Sequence, residues 1–125
     1  MIRNLKVLCI DDSSTIRAFV GASLKNAPVD LLWAEDGLEG LAMAWSTRPD
    51  IIFVDLLMPK LSGSRLCEIL KALPETRHIP IHVLTSKSGP VNLELLALSG
   101  ADGYLHKPLT QEGLLQAIGT VHDSL

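Results

Sequence analysis

A chain of 125 residues with 47% hydrophobic side chains is long enough to form one domain with its own core, without a disulfide or metal staple. The formal net charge is −3 and the lysines and arginines are scattered, so there is no basic stripe to neutralise a phosphate backbone and direct nucleic-acid binding is not expected. No apolar stretch approaches the roughly 20 residues that span a bilayer, the N-terminus has no apolar core of signal-peptide length, and Cys9 and Cys67 lack CxxC or metal-ligand spacing; a cytoplasmic chain with reduced, buried thiols and no membrane contact is expected.

Only 4% of residues are aromatic, while Leu, Ile, Val and Ala abound, which suits buried parallel strands covered by helices. The first apolar run of strand length is Leu5 to Ile10. Helical spacing follows from about Ser14 to Asn26, with Ile16, Phe19, Val20 and Leu24 as the buried stripe and Ser13 or Ser14 as the N-cap. A second strand, Val29 to Ala34, leads into a helix centred near Ala42, and a third, Ile51 to Val54, into one near Ile69. The fourth strand spans Ile79 to Leu84 and its helix centres near Leu95; the fifth spans Gly103 to Leu105 and its helix centres near Leu115. Turn-rich joints separate these pieces, and no linker or low-complexity segment divides the chain, so residues 1–125 read as one domain.

Strand then helix, repeated five times, implies an α/β fold with a parallel sheet, right-handed crossovers and helices on both faces. For a five-stranded sheet of this length the common doubly wound (βα)5 arrangement is the flavodoxin-like order 2-1-3-4-5. Trp33 and Trp45 are expected in the core. His78, His82, His106 and His122 lack metal spacing and are expected in packing or surface roles. The segment Val91 to Ser99 is apolar almost all round, which fits either full burial or an exposed partner surface.

In an open parallel sheet, ligands bind beyond the carboxyl ends of the strands. Here the first strand runs into Asp11 and Asp12, the third into Asp55, the fourth into Thr85 and Ser86, and the fifth into Lys107 and Pro108. Taken singly, Asp12 is most often a helix cap, Asp55 a strand-end turn residue, Lys107 a solvated lysine and Thr85 a strand filler. Their joint occurrence at four strand ends is what carries meaning. Three converging carboxylates repel unless a cation neutralises them, and an oxygen-only donor set suits Mg²⁺ (or Mn²⁺) rather than zinc. Lys107 and Thr85 offer a positive charge and a hydroxyl donor that could grip phosphoryl oxygens, beside a carboxylate able to attack phosphorus. The Lys107–Pro108 bond is expected to be cis, since the chain must turn sharply to aim the lysine.

The phrases LKVLCIDDSS, DIIFVDLLMPKLSG from Asp50 to Gly63, IPIHVLTS and GADGYLHKP stand in an order and at spacings that resemble the response-regulator receiver domains of two-component signalling. The match runs from Leu5 to Pro108 and includes Met58, Pro59 and Gly63 after the aspartate. That resemblance implies that Asp55 is the phospho-acceptor, that Asp11, Asp12, Asp55 and the Leu57 backbone carbonyl hold the metal, and that Thr85, Ser86 and Lys107 bind the phosphoryl group. It also implies a switch in which Thr85 moves toward the phosphoryl group and Tyr104 turns inward. Leu57 and Lys87 would border the path of a hydrolytic water and so tune the lifetime; neither offers an acceptor to orient that water, so slow self-dephosphorylation is expected.

The implied partners are a sensor histidine kinase or histidine phosphotransfer protein as donor. A downstream protein target or a second copy would bind through the Val91–Ser99 helix, fifth strand and last helix. The domain nearly fills the chain, so no output module is expected within it. Two rivals deserve weighing: a Mg²⁺-dependent aspartyl phosphohydrolase would need a DxDx[TV]-type loop and a substrate cap, which DLLMP and DDSST do not supply. A degenerate receiver acting as scaffold would not need intact Asp11, Asp12, Asp55, Thr85 and Lys107.

Overall fold

The computed structural model describes residues 4–58, 60–86 and 99–123. The described elements run β1 (Leu5–Ile10), α1 (Ser14–Ser23), β2 (Val29–Ala34), α2 (Gly37–Thr47), β3 (Ile51–Asp55), α3 (Gly63–Ala72), β4 (Ile81–Thr85), β5 (Gly103–His106) and α4 (Gln111–Asp123). The five strands form one parallel sheet in the order β2-β1-β3-β4-β5. The expected helix over Val91–Ser99 lies outside the described residues except for Ser99, as do Pro59 and Lys87.

Alternation along the strands sorts the core into two layers, because successive strand side chains point to opposite faces. Leu8, Ile10, Ile52, Val54, Ile81 and Val83 pack with Leu66, Cys67 and Leu70 of α3 and Ala44 of α2. Val7, Cys9, Ile51, Phe53 and Leu84 face the other way, onto Val20 of α1 and Leu114, Ala117 and Ile118 of α4. Both thiols are free and buried, and burial pushes each above the ordinary cysteine range. His82 is half-buried in the packing role expected of it, its ring tilted 5.8 Å from that of Phe53, and burial lowers its pKa.

The helix starts follow from short polar side chains that accept the otherwise orphaned first-turn amides. Ser13 accepts from Ile16 N at 3.2 Å, Asp36 from Glu39 N at 2.8 Å and Ser62 from Arg65 N at 3.2 Å. Helix α1 ends at Ser23, three residues short of the Asn26 expected, because the turn closed by Ala27 N on Leu24 O leads into Pro28 and the residue before a proline avoids helical geometry. Strand β4 begins at Ile81 rather than Ile79: Ile79 N is taken by Thr76 O in a turn and Pro80 has no amide to donate. Strands β3, β4 and β5 each run one residue further than expected, to Asp55, Thr85 and His106.

Two aromatic side chains are corrected by the structure. Phe19 is 37% exposed on the outer side of α1, leaving Val20 and Leu24 buried and Ile16 partly so; Trp45 is 44% exposed on α2, with the Arg48 guanidinium 4.9 Å from its ring centre. Trp33 is partly buried at the edge strand β2 under Arg17. Helical spacing identifies a face, but α1 and α2 each meet the sheet along a narrower stripe than the apolar residues suggest.

The loop from β3 into α3 is seated by glycine. Gly63 N donates to Leu56 O at 2.9 Å, and a Cβ at Gly63 would run into the Asp55 carbonyl. Gly37, at the start of α2, is likewise pressed on the Leu61 carbonyl. Alanine is the better helix former by about 1 kcal/mol, so propensity alone favours Gly63→Ala. The expected outcome is instead a net destabilisation of roughly 1–3 kcal/mol from forced backbone displacement, measured as a lower urea midpoint.

Candidate functional site

The strand order brings β1 beside β3, β3 beside β4 and β4 beside β5, so the residues ending these strands line one edge in sequence. Asp11 follows β1 and is wholly buried. Its Oδ1 accepts from Ser13 N at 2.9 Å, which ties the carboxylate to the start of α1, and its amide donates to Ala34 O at 3.1 Å. Its Oδ2 accepts no hydrogen bond among the described residues and lies 3.1 Å from the Lys107 ammonium. Asp12 is exposed beside it.

Asp55 ends β3 with its side chain 13% exposed and its Oδ1 3.3 Å from Lys107 Nζ. Lys107 thus bridges Asp11 and Asp55. Its own position is fixed by its amide, which donates to Thr85 O at 2.6 Å; the bond to Pro108 is cis. Burial, then the charge of Asp11, holds the Asp55 carboxyl above its ordinary range, against the pull of Lys107. For Lys107 the largest single effect is burial, which lowers the pKa; the combined attraction of Asp11 and Asp55 outweighs it and leaves the ammonium more firmly protonated than usual.

Asp11, Asp12 and Asp55 each offer one carboxylate oxygen, and these three lie within 4.8 Å of one another. No histidine or cysteine belongs to this cluster among the described residues. Hard oxygen donors only, an excess of negative charge over one ammonium and a buried oxygen without a hydrogen bond together fit a small divalent cation that keeps part of its water shell, Mg²⁺ or Mn²⁺.

The other expected residues are disposed around this cluster. Thr85 is buried at the end of β4; its hydroxyl makes no hydrogen bond to Asp55 or Lys107 among the described residues and pairs with His106 Nδ1 at 3.1 Å. Ser86 is exposed, the Leu57 side chain is 72% exposed and Tyr104 is 46% exposed, pointing out of the domain. The structure therefore gathers Asp11, Asp12, Asp55 and Lys107 into direct contact or near it, while the side chains of Thr85, Ser86 and Tyr104 make no hydrogen bond to these carboxylates among the described residues. His106 is the contact that sequence reasoning passed over: its pairing with Thr85 depends on the register of β4 against β5, and only the two-residue spacing from Tyr104 hinted at it.

A flavodoxin-like sheet whose carboxyl edge carries three clustered carboxylates and a lysine places the chain in the class of CheY-like domains. The comparisons with known proteins agree. The family model of the response regulator receiver domain matches residues 7–119, and the chain belongs to that family, the receiver domains of two-component signalling. Protein PilG of Pseudomonas aeruginosa is 41% identical over 114 residues, which cover 91% of this chain and 84% of that protein. The DNA-binding dual master transcriptional regulator RpaA of Synechocystis is 36% identical over 90% of this chain, which spans about half (47%) of that longer protein. The structure of the chemotaxis protein CheY4 of Vibrio cholerae superposes with a TM-score of 0.86 at 34% identity, over 94% of this chain and 98% of that one.

Cation binding should be visible without any phosphoryl chemistry. At free Mg²⁺ ten times the dissociation constant the folded state is expected to gain about 1.4 kcal/mol, read as a higher thermal midpoint that chelation reverses. Asp12→Asn, which removes a ligand from the exposed side of the cluster, should lose most of that gain.

Proposed function

We propose that this receiver accepts a phosphoryl group onto Asp55 from a phosphohistidine of a sensor histidine kinase or histidine phosphotransfer protein, acting in the cytoplasm as one domain over residues 1–125. The observation that carries this is the placement of Asp55 beside the other two carboxylates with its Oδ1 3.3 Å from the Lys107 ammonium. Asp11 is wholly buried, with Oδ1 accepting from Ser13 N and Oδ2 ion-paired with Lys107, and Asp12 is exposed and makes no ion pair with Lys107 among the described residues. Asp55 alone is partly open to a donor and adjacent to the fixed cation.

In the transfer a P–O bond forms to an Asp55 carboxylate oxygen as the donor's P–N bond breaks, and the released imidazole nitrogen takes up a proton. Lys107 remains beside the acceptor and binds a phosphoryl oxygen, stabilising charge in place rather than moving a proton. Asp11, Asp12, Asp55 and the Leu57 carbonyl would hold Mg²⁺ or Mn²⁺, which when bound offsets the negative charge that gathers on the phosphoryl oxygens. Thr85 and Ser86 would then contact the phosphoryl group, and Tyr104 would turn inward. The only chemistry proposed is on the domain itself: its own phosphorylation and slow dephosphorylation.

Output would pass to a downstream protein or a second copy through the 91–99 segment, β5 and α4. The exposed Tyr104 on β5 and Leu115 on α4 support that face, and the net charge of −3 supports a protein rather than a nucleic acid as partner. Incubation with acetyl phosphate and Mg²⁺ should give one phosphoryl adduct by intact mass, abolished by Asp55→Asn and by chelation. Stable phosphate mapped to Asp11, Asp12 or a serine would overturn the assignment.

Slow reset is part of the proposal. Hydrolysis needs a water in line with the Asp55–phosphorus bond, and the exposed Leu57 side chain has no group to orient one. The variant combining Leu57→Asn with Lys87→Glu is expected to release phosphate faster by about tenfold or more, the scale on which placing an attacking water acts. An unchanged rate would show that these side chains do not govern water access.

A further inference from the structure

Strands β4 and β5 pair so that Thr85 stands directly opposite His106, one residue before Lys107. The Thr85 hydroxyl belongs to a residue only 1% exposed, and its hydrogen bond to His106 Nδ1 is the one it makes among the described residues. The same imidazole meets the Tyr104 ring edge-on, with centroids 5.1 Å apart and planes at 78°. Tyr104 and His106 are two residues apart on a strand and so share a face. One side chain therefore touches both members of the switch pair.

We propose that His106 is a latch, a positioning residue that holds Thr85 and Tyr104 in the arrangement of the unphosphorylated site. The inference rests on the reading of Asp55 as acceptor and of Thr85 and Tyr104 as switch. With the imidazole proton on Nε2, the tautomer that the latch requires, Nδ1 accepts the one proton the Thr85 hydroxyl can donate, and the hydroxyl has none left for a phosphoryl oxygen. To grip a phosphoryl oxygen it must leave the imidazole. Tyr104, to turn inward, must give up its edge contact with the same ring. Both movements thus break contacts to His106, which couples them: release of Thr85 loosens the ring on which Tyr104 rests. The latch acts on the equilibrium between the two arrangements and leaves the acceptor and its lysine untouched.

The test is the rate at which the Asp55 adduct forms from acetyl phosphate and Mg²⁺, followed by intact mass with Asp55→Asn as the blank. His106→Val removes the bond while keeping a residue suited to a strand. It should phosphorylate about three- to tenfold faster, the scale of one lost neutral hydrogen bond favouring the resting state. His106→Asn puts a side-chain amide atom where Nδ1 stands and should return the rate to within about twofold of the native protein, which a merely structural role would not require. In a Thr85→Val background the hydrogen bond is already gone and only the Tyr104 contact remains, so His106→Val should raise the rate by less than it does in the native background. Urea midpoints confirm that each variant is folded; should His106→Val fail to fold, His106→Leu takes its place.

Native phosphorylation on Asp55 together with a His106→Val rate equal to or below the native one overturns the latch and leaves the proposed function standing. Absence of any Asp55 adduct in the native protein overturns the proposed function itself.

Discussion

A carboxylate shut away from water needs a counter-charge, and at the carboxyl edge of this sheet that charge is the Lys107 ammonium, 3.1 Å from Asp11 and 3.3 Å from Asp55. Much of the fold can be understood as the means of delivering it. Lys107 follows β5, which lies two strands away from β3 and three from β1, so it reaches the carboxylates only if β4 separates the strands and all of them end level. Its amide is fixed on Thr85 O, which ties the end of β5 to the end of β4. With one ammonium between two buried or half-buried carboxylates and a third carboxylate nearby, the edge remains net negative. That imbalance gives the site its appetite for a cation.

The loop after β3 is the second constraint. Asp55 keeps its place because Leu56 is buried and donates its amide to Leu84 O, and because Gly63 brings the start of α3 hard against the Asp55 carbonyl. A side chain at Gly63 would push Asp55 and the helix apart. A stability defect there would therefore also be a defect of the site, which is why this glycine belongs to the function and not merely to the turn.

The strands were legible because buried parallel strands are written as nearly unbroken apolar runs, and the site was legible because four such runs end in Asp, Asp, Thr and Lys. The order of the strands was not written in any of those runs; it came from the habits of five-stranded doubly wound sheets. Phe19 and Trp45 misled because an apolar residue at helical spacing marks a side of the helix without saying whether a neighbour covers it. His106 was passed over for a different reason. Its neighbour Thr85 is 21 residues away in sequence and becomes its partner only through strand register.

Phosphorylation would replace the single charge of the Asp55 carboxylate by about −1.5 to −2 on the acyl phosphate, a net gain of up to about one negative charge beside Asp11 and Asp12, so the domain must find new donors or leave the charge unanswered. Lys107 is engaged in the resting state, and what it contributes to switching is only the difference between holding carboxylates and holding a phosphoryl oxygen. Thr85 makes no bond to Asp55 at rest, so its contribution would be wholly new. Hydrogen bonds to charged groups are worth about 1.5–3 kcal/mol each, whereas swinging a two-state element from 1:99 to 99:1 needs about 5.5 kcal/mol. A site with so few uncommitted donors has little to spare. In that setting a resting-state hydrogen bond of about 1 kcal/mol on the Thr85 hydroxyl would be a sizeable fraction of the swing, and under the proposed latch a side chain that never touches the phosphoryl group would gain leverage over the switch.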